Sequence, residues 1–549
     1  MNIDEIYKSW VENVHVPEIQ RELFKIKDNP EEKYERFYKS LEFGTAGIRG
    51  IMGAGTNRVN VYTVGRVTQG FASYLLKKFR NPSVAISYDS RIRSKMFAYL
   101  AAKIMAANGV KVNLVCETQP TPFLSFAVRK LRCSAGIMIT ASHNPSQYNG
   151  YKCYGKDGAQ ITEEIAKEIY YEISKVDIFS GVKKMRIQQA FEEKQIVFMN
   201  KNVVEEYLNC VTNQKINNTD FSHLNVVYTP LNGSGCKLVC KALEIIGVKN
   251  LKVVSEQKYP DGNFTTCKFP NPEYLEAFNL GIKYAMNSKA DIIIATDPDA
   301  DRMGVCARHK GEYKLITGNQ IGILLFYYIV KKKREFIDSS VRPVVVKSLV
   351  SSKMIDAIAK KENCEVISVP TGFKNIAKEI AKLESNGNLS SYLFGFEESN
   401  GYLSGTYARD KDAVSATVLM CEAAAYFKRN NLSLIDALAK ISERYGRYGE
   451  KNLSFEFKGS KGKEKMDKII SNFENLIPES MGVVSAKKDF GMLDLELENK
   501  NEIVVRPSGT EPKLKVYILA HENGEKELFE KLNLLSESME KIINEFSGE

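Results

Sequence analysis

The stretch Asp291-Ile292-Ile293-Ile294-Ala295-Thr296-Asp297-Pro298-Asp299-Ala300-Asp301-Arg302 joins an apolar run to three acids at alternate positions. A short apolar run of this kind predicts a strand at 291–295 with both faces covered, as in a parallel sheet between helices. Upstream of it stand a predicted strand at 225–228, a Gly-rich turn at 232–235, a helix at 236–246, a strand at 251–255 and a helix at 273–287. Earlier in the chain the rhythm is the same. A strand at 84–88 ends in Asp89-Ser90-Arg91, a helix spans 97–107 and a strand 111–116, a helix spans 122–131, and a strand at 134–140 runs into Ala141-Ser142-His143-Asn144-Pro145. Later, strands at 343–347, 365–369 and 391–394 alternate with helices at 352–362 and 374–383, and the last strand ends in Gly395-Phe396-Glu397-Glu398-Ser399.

Strands alternating with helices of this length predict βαβ units on mainly parallel sheets. Three such units each close on a polar loop, and ligands in these sheets bind beyond the carboxyl ends of the strands. After Gly449 the register changes to strands at 452–457, 493–497, 503–505 and 514–520 with helices at 464–474 and 525–546, which predicts a smaller α+β domain with an antiparallel sheet. The expected fold class is therefore α/β, with three successive α/β domains and a C-terminal α+β domain. Boundaries are expected at 1–215, 216–332, 333–449 and 450–549. The first forty residues read as charged helix, broken at Pro30.

At 549 residues, 44% hydrophobic and 26% charged, the chain has the profile of a soluble multidomain protein. The excess of 77 Lys and Arg over 67 Asp and Glu is mild, and no basic run with interleaved aromatics suggests a nucleic-acid groove. The ten-residue apolar run 321–330 is far short of a membrane span, and the N-terminus shows no secretory pattern. Ten scattered cysteines without a C-x-x-C pair predict reduced thiols and a cytoplasmic location, and five dispersed histidines argue against zinc.

The chemistry-bearing residues follow from those strand ends. Asp297, Asp299 and Asp301, with Pro298 stiffening the turn, suit a hard cation such as magnesium, which takes oxygen ligands. Ser142, beside His143 and before a proline-enforced turn, reads as an exposed, restrained hydroxyl. Phosphorylated, it would offer a metal further oxygens. Arg506-Pro507-Ser508-Gly509-Thr510-Glu511-Pro512-Lys513 combines a planar guanidinium, two hydroxyls, a glycine and a lysine, which is the donor set of a phosphate loop. Glu397, Ser399 and the segment Pro370-Thr371-Gly372-Phe373-Lys374 suit sugar hydroxyls.

Taken together and in this order, Thr140–Pro145, Asp297–Arg302, Phe396–Ser399 and Arg506–Lys513 resemble the α-D-phosphohexomutase superfamily of phosphoglucomutases and phosphomannomutases. The likeness runs from Phe43-Gly44-Thr45-Ala46-Gly47-Ile48-Arg49-Gly50 to the phosphate loop. It implies four domains around a central cleft and an intramolecular phosphotransferase. In that reading Ser142 is the phosphorylated nucleophile, and it joins Asp297, Asp299 and Asp301 around one Mg2+. Arg49 and Arg302 flank the phosphoryl group, and His143 or Lys152 moves a proton. Thr45, Thr371, Gly372, Glu397, Ser399 and Lys411 contact substrate, while Arg506, Ser508, Gly509, Thr510 and Lys513 grip the distal phosphate.

Pro298 and Ala300 replace glycines common in relatives, as does Phe396, which resembles a longer branch that also contains phosphopentomutases. The expected activity is interconversion of glucose 1-phosphate and glucose 6-phosphate, with glucose 1,6-bisphosphate as activator and intermediate. Phosphomannomutase or phosphopentomutase activity are alternatives on the same scaffold, and a non-catalytic sugar-phosphate sensor is an alternative of another class. Expected partners are small sugar phosphates, with no nucleic acid and no membrane, in a monomer or homodimer.

Overall fold

A computed structural model describes residues 2–333, 341–457, 462–476, 481–489, 491–507 and 513–547. Its strands form four sheets. In the first, β1 (Ile48–Ile51), β2 (Ser83–Tyr88), β3 (Lys111–Leu114), β4 (Ala135–Ile139), β5 (Tyr148–Gly155) and β6 (Ile196–Phe198) are ordered β1-β5-β4-β2-β3-β6. Strands β4, β2, β3 and β6 are mutually parallel, whereas β5 and β1 add antiparallel at the edge. The second sheet has β7 (Asn225–Thr229), β8 (Asn250–Val253), β9 (Ile292–Thr296), β10 (Met303–His309) and β11 (Glu312–Ile316) in the order β11-β10-β9-β7-β8. The third has β12 (Val344–Ser348), β13 (Glu365–Val369), β14 (Tyr392–Glu397) and β15 (Gly401–Leu403) in the order β13-β12-β14-β15.

Each of these sheets thus has a parallel centre and an antiparallel edge. The sequence reading anticipates the parallel centres, because strands such as Ile292–Thr296 are buried along their length. The antiparallel strands are a finding of the structure. In β5, Tyr148–Gly155, glycine and polar residues interrupt the apolar pattern, and β10 follows the acidic turn directly.

The last sheet, β16 (Arg447–Glu456), β17 (Val483–Asp489), β18 (Met492–Leu497), β19 (Glu502–Pro507) and β20 (Lys513–Glu522), is antiparallel throughout in the order β16-β20-β19-β18-β17. The helix Glu525–Ser547 packs on it, and this sheet has an apolar core of its own. A single larger core runs through the first three sheets and their helices. A small apolar cluster, Val350, Met492, Val504 and Tyr517, joins the third domain to the fourth sheet, and Tyr448 of β16 packs against the larger core.

Two local readings change. Pro30 starts a helix, Pro30–Phe37, and Pro17 starts another, Pro17–Lys25, because the first turn of a helix has no use for the missing amide. The helix expected at 273–287 begins later, with a 3-10 turn at Leu275–Phe278 and an α-helix at Asn279–Ser288, which frees Glu273 for an ion pair. None of the ten cysteines is in a disulfide. Among the described residues, no helix is long and apolar enough to cross a membrane.

Candidate active site

Strand β4 ends at Ile139, and the chain turns so that Ser142 adopts φ 51°, a left-handed conformation unusual for a residue with a side chain. The Ser142 amide donates to Thr140 Oγ1 at 2.8 Å, and the Thr140 hydroxyl in turn donates to Asp89 Oδ2 at 2.6 Å. This turn sends the Ser142 hydroxyl toward the second sheet, where it donates to Asp297 Oδ2 at 2.7 Å. His143 Nδ1 lies 3.3 Å from the same hydroxyl.

The acids sit in the turn between β9 and β10. Ala300 there has φ 47°, so it occupies a conformation that glycine would take at less cost. The Gly-rich turn at 232–235 lies directly beneath. The Ser234 amide donates to the Pro298 carbonyl at 2.8 Å, and a Cβ on Gly233 would stand 2.6 Å from Pro298 Cα. That turn is a cradle for the acidic loop, a role its sequence position in another strand–helix junction does not announce.

Asp297, Asp299 and Asp301 are all buried, and one carboxylate oxygen from each lies within 4.8 Å of the others. Asp297 Oδ1 accepts the amides of Asp301 and Arg302, both at 3.1 Å. Asp299 Oδ2 accepts from Thr121 Oγ1 at 2.8 Å and Lys152 Nζ at 2.9 Å. Lys411 Nζ lies 2.8 Å from Asp301 Oδ2. Asp299 Oδ1 and Asp301 Oδ1, by contrast, are buried and accept no hydrogen bond. Two orphaned carboxylate oxygens beside a serine hydroxyl are the donor set a hard divalent cation requires, so these residues fit magnesium.

The charges agree. Burial pushes Asp297 well above the usual carboxylate range, reinforced by repulsion from Asp299 and Asp301. For Asp299, burial works in the same sense, but the Lys152 ammonium outweighs it and the group is held low. Burial lowers His143 well below the ordinary imidazole value, with Arg302 and Arg49 adding to the effect, so its ring is neutral.

Arg49, on β1, donates to Asn144 Oδ1 at 3.0 Å. Arg302 pairs with Glu273 at 2.6 Å. In the third sheet, the Gly372 amide donates to Glu397 Oε1 at 2.6 Å, and burial raises the Glu397 carboxyl to about 7, with Lys411 opposing. Thr371 belongs to the same turn, its carbonyl accepting from Asn375 at 3.1 Å. Ser399 is half-buried in the turn between β14 and β15. Glu398 is occupied elsewhere, accepting from Ser348 Oγ at 2.8 Å. Thr45 receives the Lys374 ammonium at 3.0 Å, a contact between the first and third sheets' loops. Arg506 is the next-to-last residue of β19, and Lys513 opens β20 paired with Glu456 at 2.7 Å. Ser508, Gly509 and Thr510 lie outside the described residues.

Thr121, Glu273 and Asp410 touch the predicted site residues and carry no mark in the sequence. Thr121 begins a helix yet reaches Asp299, and Asp410 Oδ1 accepts from Lys411 at 3.3 Å. No local signal marks them, since each is held by a distant segment, Asp410 Oδ2 for instance accepting from the Tyr154 hydroxyl at 2.7 Å.

Four family models match in chain order. They are phosphoglucomutase/phosphomannomutase alpha/beta/alpha domains I (residues 40–178), II (205–311) and III (317–445), and the phosphoglucomutase/phosphomannomutase C-terminal domain (477–531). The chain belongs to the phosphoglucomutase/phosphomannomutase family. Among relatives of this family, a phosphoglucomutase of Staphylococcus haemolyticus (strain JCSC1435) is 38% identical over 505 residues, covering 88% of this chain and 90% of that protein. A putative phosphomannomutase from Thermus thermophilus superposes with a TM-score of 0.69 at 20% identity, over 92% of this chain and 99% of the other. An Aspergillus fumigatus N-acetylphosphoglucosamine mutase, solved with GlcNAc-6P and magnesium, has a TM-score of 0.50 at 13% identity, over 96% and 99% of the two chains. The phosphoglucomutase/phosphomannomutase fold, a phosphosugar mutase activity and four successive domains are thereby established for the chain.

Proposed function

We propose that the chain is a phosphoglucomutase that interconverts glucose 1-phosphate and glucose 6-phosphate through a phosphorylated Ser142 and glucose 1,6-bisphosphate. The observation that carries this reading is the Ser142 hydroxyl 2.7 Å from Asp297, within a cluster of buried acids that leaves two carboxylate oxygens unused. The identity of 38% to a phosphoglucomutase over most of both chains supports the choice of sugar.

Asp297, Asp299, Asp301 and Ser142 would hold Mg2+, whose charge, when bound, counters that on the transferring phosphoryl group. The Aspergillus relative was solved with GlcNAc-6P and magnesium, in line with this assignment. Phosphoserine 142 gives its phosphoryl group to the free hydroxyl of the bound sugar monophosphate, breaking the Oγ–P bond and forming a bisphosphate. The hydroxyl's proton passes to a nearby base. After the intermediate turns end for end, its other phosphate returns to Ser142. His143, 3.3 Å from Ser142 Oγ, is placed to exchange a proton there, and Lys152, locked between Asp299 and Asp301, serves as a fixed positive charge. Glu397, buried and steadied by the Gly372 amide, accepts from sugar hydroxyls. Arg506 and Lys513, with Ser508, Gly509 and Thr510, take the phosphate that is not reacting, so either end of the sugar fits the same grip.

The test combines turnover with intact mass. With Mg2+ and trace glucose 1,6-bisphosphate, the purified protein should convert glucose 1-phosphate to glucose 6-phosphate and carry one phosphate on Ser142, which sugar monophosphate removes. Faster turnover of mannose or ribose phosphates would reassign the sugar. Release of inorganic phosphate as fast as isomer forms would replace the mutase with a phosphatase.

A further inference from the structure

Arg91 is buried to 3% exposure at the end of β2, and nothing in the acid cluster or the sugar loop uses it directly. Its guanidinium gathers the backbone of the serine loop. Nη1 donates to the carbonyls of Pro145 at 2.8 Å and Tyr148 at 3.1 Å, and Nη2 donates to those of Ser142 and Asn144. Asp89 holds the other side, 3.3 Å from Arg91 Nε, while accepting the Thr140 hydroxyl that fixes the Ser142 amide. Four carbonyls that converge on one planar cation cannot splay apart without leaving a buried charge unsatisfied. The left-handed Ser142 backbone therefore has an identifiable restraint.

The outer face of this guanidinium is covered from the second domain. The Phe264 ring lies 5.0 Å from Arg91 Cζ, and Phe264 itself has φ 47°. Its turn is pressed against the first domain, since a Cβ on Gly262 would lie 2.4 Å from the Ile92 amide nitrogen. The same turn is tied to the cradle of the acidic loop through the Asp261 amide, which donates to the Asn232 carbonyl at 3.1 Å. A continuous series of contacts thus runs from Pro298 through residues 232–234 and 261–264 to Arg91 and the Ser142 loop.

We infer that Arg91, capped by Phe264, is a positioning residue that registers the phosphorylated serine of the first domain against the metal-binding acids of the second. This rests on the mutase reading of Ser142. Its consequence for catalysis is specific: loosening the clamp misaims the nucleophile while leaving the sugar and distal-phosphate contacts on the third and fourth domains untouched. The loss falls on kcat and spares KM.

Two variants of the full-length protein test the inference, Arg91→Lys and Phe264→Leu. Lysine keeps the charge without the planar fork, and leucine keeps apolar volume without the aromatic face. Hydrogen exchange over residues 140–150 should be at least about 10-fold faster in both than in wild type, with strands of the third and fourth sheets unchanged. On glucose 1-phosphate, kcat should fall about 10-fold for Phe264→Leu and about 100-fold for Arg91→Lys, with KM within about two-fold. Unaltered exchange across 140–150 in a folded variant would overturn the inference, as would a raised KM at unchanged kcat. Should Arg91→Lys fail to fold, Phe264→Leu decides alone. A wild-type protein inert to every sugar phosphate would sink the mutase reading, and the exchange measurement would still decide the clamp.

Discussion

Asp297 is the residue on which stability and activity pull in opposite directions. Its carboxylate is buried among two like charges, a costly arrangement in the absence of a cation. Asp297→Asn should raise the melting temperature of the protein in EDTA by a few degrees, of order 1 kcal/mol, because it removes one of three repelling groups. With Mg2+ held as proposed, wild type should be stabilised by the ion, and the same variant should lose that stabilisation and about 1,000-fold or more in turnover; thermal shift with and without Mg2+ reads the first effect and a turnover assay the second. Glu397 provides a pH signature. Its folded pKa of about 7 lies above the ordinary carboxylate value, so between those two values the folded protein binds more protons than the unfolded chain. Its contribution to stability is therefore present at low pH and fades as pH rises through 7. In the proposed reading sugar binding runs the opposite way, since the ionised carboxylate is the stronger acceptor for hydroxyls. The kcat/KM for glucose 1-phosphate should climb between pH 6 and 8, and Glu397→Gln should flatten that climb while costing about 10–100-fold in rate.

At the scale of elements, the helix Val61–Lys78 crosses Glu163–Ser174 with backbone nearly touching at Gly70. A Cβ there would lie 2.6 Å from the Ile173 amide nitrogen and Cα. Alanine is the better helix former by about 1 kcal/mol, so an exposed Gly→Ala change would stabilise. Here the opposing backbone must move, and Gly70→Ala should destabilise by about 1–2 kcal/mol net, read as a lower urea midpoint at unchanged slope. The same logic explains why the acidic loop is accurately placed. Gly233 permits a contact with Pro298 that any side chain would block, so the turn preceding one helix supports the loop following another strand.

At the scale of the molecule, the two cores behave differently. The first three sheets share one apolar core, whereas the fourth has its own and meets the third through Val350, Met492, Val504 and Tyr517, with the Lys353–Glu502 ion pair at the margin. Val350 is 1% exposed in that contact, and a carboxylate there would have no partner of opposite charge in the apolar cluster. Val350→Asp should undock the C-terminal domain without unfolding the rest. Calorimetry should resolve an early, separate transition, and KM for glucose 1-phosphate should rise about 10-fold as the distal phosphate loses its grip. A single transition at the wild-type temperature would contradict this division of the cores.

How much of this was legible beforehand depends on whether the signal is local. The strand at Ile292–Thr296 announces itself through an unbroken apolar run, the helix Cys236–Ile246 through apolar residues at helical spacing after a Gly-rich turn, and the strand Glu365–Val369 through its β-branched residues, so the parallel centres and the polar loops at their ends could be read from the chain. Ser142 and the three aspartates were legible for the same reason, each standing where a buried strand stops. The antiparallel edges were not, because β5 carries glycine and polar residues whose spacing has meaning only beside β1 and β4. Nor were Thr121, Glu273, Asp410 or the grip of Arg91 on the serine loop. Sequence alone determined which groups are candidates for the chemistry. Tertiary structure decided which of them share one desolvated space, since burial, orphaned oxygens and convergent carbonyls arise only between segments far apart in the chain.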